Sequence, residues 1–330
     1  MLKIPFFRPL NAVVVPIHYE GHTHYFFCDT GVPFSFSKNL TYIPKSISPT
    51  KQPFPLKKPP FSLDGLSNSL GVEIAGFLGL DFFSSVPLFG IDFENHCLHF
   101  SDFSFKEQLT KPMIIPLLQG PVIMAQVGGQ PPRPTFLDFG SYLCYYFRPN
   151  EIKTSHQSRD LRTPSPQGEE EFSLYTPCAI KVGRYEIGNF TIGEMNKPNS
   201  NYQGVIGNNV LCRFQILFDW HNMLLFLEPN KTTPTTWQEP TQQTYSPGFQ
   251  CIIPPTKTGI VQVFHRANKT KINPQFTKGT EFSLPHINWN SPEAINQVIE
   301  KLHPNDLSPP LVFVEGKPQE LHLKHIFDPW

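Results

Sequence analysis

The feature that most constrains this chain is an internal repeat of two blocks, in the same order in both halves. In the first block, VVVPIHYEGHTHYFFCDTG at 13–31 reads as an alternating strand, a turn at Glu20 and Gly21, and a second strand ending on Asp29. PVIMAQVGGQPPRPTFLDFG at 121–140 has the same layout, with its turn at Gly128 and Gly129 and its second strand ending on Asp138. In the second block, GFLGLDFFSSVPLFGIDFENHCLHF at 76–100 lines up with GVIGNNVLCRFQILFDWHNMLLFLEP at 204–229. Both contain Gly-x-x-Gly, an apolar segment, a hydrophobic strand carrying Asp92 or Asp219, a polar turn and another apolar strand. A chain written twice in this way is expected to fold as two related halves. Asp29 and Asp138, 109 residues apart, then hold equivalent positions, each two residues before a glycine that lets the backbone turn sharply.

Two carboxylates brought together have a definite chemistry. Like charges about 3 Å apart cannot both ionise easily, so one pKa falls, the other rises, and the pair holds one proton over a working pH range. The ionised member takes a proton from a water that attacks a peptide carbonyl, and the protonated member polarises that carbonyl and later protonates the leaving nitrogen. The sequence does not assign these roles, because the titration belongs to the pair.

On the two Asp-x-Gly segments and the two Gly-x-x-Gly blocks, over about residues 10–230, the chain resembles the aspartic proteases of the pepsin and retropepsin superfamily. The likeness is to the compact bacterial style, in which two short lobes precede a PDZ-like module. It implies an all-β, bilobal fold of two related β-barrel-like lobes, with Asp29 and Asp138 meeting at the interface as the catalytic dyad. Thr30, Gly31, Gly140 and Ser141 would support the dyad, and Leu78, Gly79, Ile206 and Gly207 would brace it from behind. The implied activity is endopeptidase action on a peptide or protein substrate, with neither cofactor nor metal.

Departures from the family pattern shape the expectations. The family places Thr or Ser after each Asp to bond across to the opposite loop; Thr30 supplies this and Phe139 cannot, so a one-sided cross-brace is expected. The family also places Ser or Thr after the Gly, bonding the outer carboxylate oxygen, which fits Ser141 but not Val32; Asp138 is thus expected to be the better stabilised anion. The substrate-covering segment differs too, since Gly31 to Gly76 spans 45 residues and Gly140 to Gly204 spans 64. The first of these is dense in proline between 53 and 60, which removes ladder donors and predicts a short or irregular lid. In the second, 172–196 reads as hairpin strands around Gly183 and Gly188, and 153–171 as a polar, mobile loop. Phe139, Val32 and the short lid motivate an alternative, a catalytically weak or inactive peptide-binding or scaffold protein of the same fold.

Composition narrows the remaining classes. Across 330 residues, 36 prolines, 21 glycines and 30 phenylalanines favour strands and turns over long helices. The formal net charge of zero gives no electrostatic argument for nucleic acid or an anionic membrane surface. No apolar run reaches the length of a spanning helix, and MLKIPFFRPL lacks a signal-peptide pattern, so a cytoplasmic location is expected. The six cysteines show no CxxC spacing and read as buried reduced thiols. His18, His22 and His24 form a possible metal cluster, for which a solvated hairpin tip is the plainer reading.

The boundaries follow from these patterns: a first lobe at 1–110, a second at 111–229, a linker at 230–247 rich in Thr, Gln and Pro, and a last domain at 248–330. The last domain reads as short strands, a helix from Ser291 to Leu302 with Ser291 as N-cap, and a hairpin turning at Gly316 and Lys317. This order resembles a PDZ domain. The resemblance implies that Gly248 and Phe249 lie in a loop that captures a peptide C-terminus while the peptide adds a strand to the sheet.

Overall fold

The computed structural model describes residues 2–6, 12–70, 72–127, 131–141, 144–146, 157–165, 168–195 and 202–231, and then 244–246, 250–252, 261–265, 276, 280–287, 301–302, 310–322 and 324–326. The described residues are mostly β-strand, with a few short helices in the connections. The first half runs β1 (Leu2–Pro5), β2 (Val14–Tyr19), β3 (His22–Cys28), β4 (Phe36–Ser37), β5 (Tyr42–Ile43), β6 (Phe54–Pro55), α1 (Asp64–Leu70), β7 (Ile74–Leu78), α2 (Leu80–Phe83), β8 (Leu88–Asp92), β9 (Cys97–Phe100) and α3 (Phe103–Gln108). The second half runs β10 (Met113–Pro116), β11 (Val122–Val127), β12 (Arg133–Leu137), β13 (Cys144–Tyr146), β14 (Gln157–Ser165), β15 (Gly168–Val182), β16 (Tyr185–Met195), β17 (Gly204–Ile206), α4 (Asn208–Leu211), β18 (Phe214–Asp219) and β19 (Leu224–Pro229). Beyond these lie β20 (Thr244–Ser246), β21 (Gln250–Ile252), β22 (Val261–His265), β23 (Glu281–Phe282), β24 (Leu311–Val314), β25 (Lys317–Glu320) and β26 (Lys324–Ile326).

Each half contributes three strands to one antiparallel sheet, in the order β1-β9-β8-β18-β19-β10. The order is a palindrome of equivalent strands, and the halves meet where β8 pairs with β18, Phe89 opposite Phe218 and Ile91 opposite Ile216. The aspartates of these two strands close the turns that follow: Asp92 accepts from the amides of Glu94 and Asn95 at 3.0 Å each, and Asp219 from the amide of Asn222 at 3.1 Å. Phenylalanine fills the space beneath the sheet. Phe82, Phe83, Phe89, Phe100, Phe139 and Phe218 are all fully buried, and Trp220 stacks on Phe218 with centroids 4.5 Å apart.

The remaining strands of each half build the sheet that carries its aspartate. In the first half the order is β2-β3-β7-β4. In the second it is β11-β12-β17-β13-β16-β15-β14, and the sheet curls until β11 also pairs with β15. The segment expected as a loop at 153–171 is instead largely strand, with β14 and β15 paired from Arg159 opposite Leu174 to Ser165 opposite Gly168. Ladder bonds join backbone to backbone, so a polar sequence without apolar alternation forms them as well. The expected turn at Gly183 is where β15 meets β16, whereas Gly188 lies within β16.

Several expectations near the C-terminus also change. Asn230 is buried and its amide bonds to Arg213 O at 2.8 Å, and 244–246 pairs with 324–326, so both ends of the expected linker are structured. The last hairpin turns at Glu315 and Gly316, one residue earlier than expected, because both take the positive φ, 49° and 76°, that a tight two-residue turn demands. The helix expected at 291–302 lies outside the described residues apart from 301–302, which are helical. Phe276, Phe282, Leu284, Ile287, Leu302, Val312 and Leu321 form a separate buried cluster here.

Candidate functional site

Each aspartate is placed by the strand pair behind it. β3 runs parallel to β7 with Cys28 opposite Leu78, and β12 runs parallel to β17 with Leu137 opposite Ile206. The next residue in each case donates its amide across: Asp29 N–H to Leu78 O and Asp138 N–H to Ile206 O, both 3.0 Å. The chain then loops forward and is held from behind by the Gly-x-x-Gly block. Leu80 N–H bonds to Val32 O and Asn208 N–H to Ser141 O, both at 2.8 Å. Gly79 is tight against this loop, since a methyl there would lie 2.7 Å from Val32 O and 2.8 Å from the carbonyl carbon of Phe34.

The two loops bring the carboxyl groups together. Each carboxylate accepts from the glycine two residues on, Gly31 N–H to Asp29 Oδ1 at 2.7 Å and Gly140 N–H to Asp138 Oδ1 at 2.8 Å. Each also sits over the opposite glycine. A methyl on Gly31 would lie 3.0 Å from Asp138 Oδ2, and one on Gly140 would overlap the Asp29 carboxyl group outright. These glycines are required for close approach, and neither takes a positive φ. Both aspartates are partly buried.

The surroundings separate the two groups electrostatically. Burial raises the Asp29 carboxyl well above the usual carboxylate range, and the charge and hydrogen bond of Asp138 push it further up, against the amides of Gly31 and Val32. Burial raises Asp138 too, but four donors oppose it: the amides of Gly140, Gly31 and Ser141 and the Asp29 carboxyl. The pair therefore holds its shared proton above the ordinary carboxylate range, with more amide donors turned toward Asp138 than toward Asp29. Val32 and Ser141 each turn an amide toward the carboxylate of their own loop. The Gly31 amide serves both aspartates.

Thr30 is buried and ties the loops together. Its Oγ1 donates to Leu137 O at 2.7 Å and accepts from Phe139 N–H at 3.1 Å. Phe139 makes no such reach; its ring is buried between Phe89 and Phe218, with centroids 6.3 and 6.0 Å away. The reciprocal brace is replaced by packing on the shared sheet, and Asn208 Nδ2 secures the other side of Phe139 by donating to its carbonyl at 2.6 Å.

Four residues that sequence reasoning passed over complete the support. Ser35 and Cys144 each lie six residues after an aspartate, and Asp81 and Asn209 each lie two residues after the last glycine of Gly-x-x-Gly. Asp81 Oδ1 accepts from the Ser35 amide at 2.8 Å and the Ser35 hydroxyl at 2.7 Å. Asn209 Oδ1 accepts from the Cys144 amide and thiol, both at 3.1 Å. Ser35 Oγ and Cys144 Sγ in turn accept from the amides of Gly79 and Gly207, at 2.9 and 3.3 Å. Superposing the two halves of the sequence on their glycines gives the signal.

The other sequence-derived candidates separate. In the β2–β3 register His18 faces Thr23, while His22 and His24 face Tyr19 and Ile17, so His18 lies on the opposite side of the hairpin from the other two. Among the described residues no three metal-binding side chains gather. Cys28, Cys97, Cys144 and Cys212 are free thiols. In the expected lid region, β5 and β6 pair over two residues each. Gly248 and Phe249 lie outside the described residues. Among the described residues no helix is long and apolar enough to cross a membrane. Neither a protein-family model nor a curated protein matches the chain.

Proposed function

We propose that the chain is a pepsin-like, bilobal aspartic endopeptidase with a C-terminal PDZ-like module, hydrolysing peptide bonds with Asp29 and Asp138. The observation that carries the reading is the reciprocal seating of the carboxylates, each over the other loop's glycine, with both carboxyls raised above the ordinary range. In this reading the Asp138 carboxylate takes a proton from water as its oxygen attacks the carbonyl carbon of the substrate. The Asp29 carboxylic acid gives its proton to the carbonyl oxygen, leaving a tetrahedral diol. Asp138 then delivers its proton to the amide nitrogen, Asp29 recovers one from a diol hydroxyl, and the C–N bond breaks to an acid and an amine. No metal or cofactor is needed. The separate core beyond residue 244 supports a further small domain, whose role here is capture of a peptide C-terminus.

A second reading, a peptide-binding scaffold with little turnover, is favoured by the lid strands of two residues each and by the missing hydroxyl at Phe139. Incubation with a diverse peptide library between pH 3 and 8 separates the two. The protease reading expects cleavage by the wild type and none by Asp29→Asn or Asp138→Asn. Cleavage that survives either substitution, or none by the wild type at any pH, defeats it.

A further inference from the structure

We propose that Asp81 and Asn209 are positioning residues for the two aspartates, each acting through the side chain six residues past its aspartate, Ser35 or Cys144. The inference rests on the protease reading for its kinetic consequence, though not for its structural one. From Asp29 to Ser35 the chain forms an arch fixed at both feet. At one foot the Asp29 amide bonds to Leu78 O at 3.0 Å. At the other, one oxygen of Asp81 gathers three donors: the Ser35 amide at 2.8 Å, the Ser35 hydroxyl at 2.7 Å and the Phe82 amide at 2.8 Å. The hydroxyl accepts from Gly79 N–H at 2.9 Å, so the anchor also fixes the glycine that supports the arch from behind.

The arch from Asp138 to Cys144 is built on the same plan in softer materials. Asn209 replaces the carboxylate and Cys144 the hydroxyl, and the contacts lengthen to 3.1 Å from Cys144 to Asn209 and 3.3 Å from Gly207 to the sulfur. The same geometry is therefore met once by Ser with Asp and once by Cys with Asn. What the two share is an acceptor oxygen at the foot of the arch, not a charge. Losing that acceptor leaves the buried Ser35 amide and hydroxyl without their partner, and the arch relaxes with its aspartate.

The molecule supplies its own conservative control. Asp81→Asn copies the second anchor and keeps the acceptor, whereas Asp81→Ala removes it. The expected result is a kcat about a hundredfold lower for Asp81→Ala with KM little changed, as displacement of a reacting group by about 1 Å produces, and a pH profile whose limbs move. Asp81→Asn should stay within about threefold of wild type. A folded Asp81→Ala with wild-type kcat and pH profile overturns the proposal, as does an Asp81→Asn as impaired as Asp81→Ala. Ser35→Ala, which keeps the amide bond and removes the hydroxyl link, gives the same test if Asp81→Ala does not fold. Should the wild type cleave nothing, the protease reading fails while the anchor is still decided by carbon-13 titration of the Asp29 carboxyl. A fall toward the ordinary range in Asp81→Ala supports positioning, and an unchanged titration refutes it.

Discussion

At the scale of single residues, close approach and one hydroxyl decide the site. Any side chain at 140 occupies the space of the Asp29 carboxyl group, so Gly140→Ala should remove the proposed peptide hydrolysis while leaving the fold in place, as read by kinetics beside circular dichroism. Thr30 makes two buried hydrogen bonds across the halves. Thr30→Ala should therefore cost about 2–3 kcal/mol in urea unfolding, with Thr30→Ser recovering most of it. The dyad also sets a pH dependence of stability. Its carboxyls are raised in the folded state, so below about pH 4, where both states are protonated, they cost nothing, and stability falls as pH rises through the folded values. Asp29→Asn removes that loss, so its melting temperature should exceed the wild type's at pH 7.5, with the gap closing by pH 3.5. The aspartates, glycines and Thr30 were legible because the motif is short and strictly spaced. The amides that Val32 and Ser141 turn toward the carboxylates were not, since any residue has an amide and only the fold aims it.

At the scale of elements, the repeat predicted the strands that matter and local polarity misled elsewhere. Gly-x-x-Gly followed by apolar residues becomes β7 with α2, and β17 with α4, because the second glycine is the last extended residue before each short helix. The stretch at 153–171 failed as a loop because its pairing is paid out in backbone bonds that composition does not encode. The anchors at Asp81 and Asn209 were hidden by their different chemistry, carboxylate against amide, although their spacing matches. One helix gives a clean test of local design. Asp102 caps α3, accepting from Phe105 N–H at 3.3 Å, Ser104 Oγ at 2.5 Å and sharing a 2.9 Å contact with His99. Burial works to raise its pKa, but Ser104, His99 and Phe105 outweigh it and hold the carboxyl below its usual value. Its contribution is complete above about pH 4 and is lost as pH falls through the depressed value. Asp102→Ala should cost about 1–2 kcal/mol at pH 7 and less in strong acid, measured by chemical denaturation at both.

At the scale of the whole molecule, the two halves are joined by a sheet and a ring. β8 and β18 continue one ladder across the halves, and Phe139 packs against Phe89 and Phe218 at their junction. Phe139→Ala should cost about 3–5 kcal/mol and leave residues 2–229 unfolding less cooperatively, seen as a broadened or split denaturation curve. The sequence carried the duplication but not this junction, because pairing between distant strands is a tertiary choice among many hydrophobic runs. The lopsided brace thus has a physical reason: the second half uses its position after the aspartate for core packing, and the hydroxyl brace across the loops comes from Thr30. The central claim is that Asp29 and Asp138 hold one proton between them. Carbon-13 titration of the aspartate carboxyls in the wild type, with Asp29→Asn and Asp138→Asn for assignment, measures this directly. One carboxyl should remain protonated well above the ordinary value of about 4 and lose that shift when its partner becomes asparagine. Two carboxyls titrating independently near the ordinary value would contradict it.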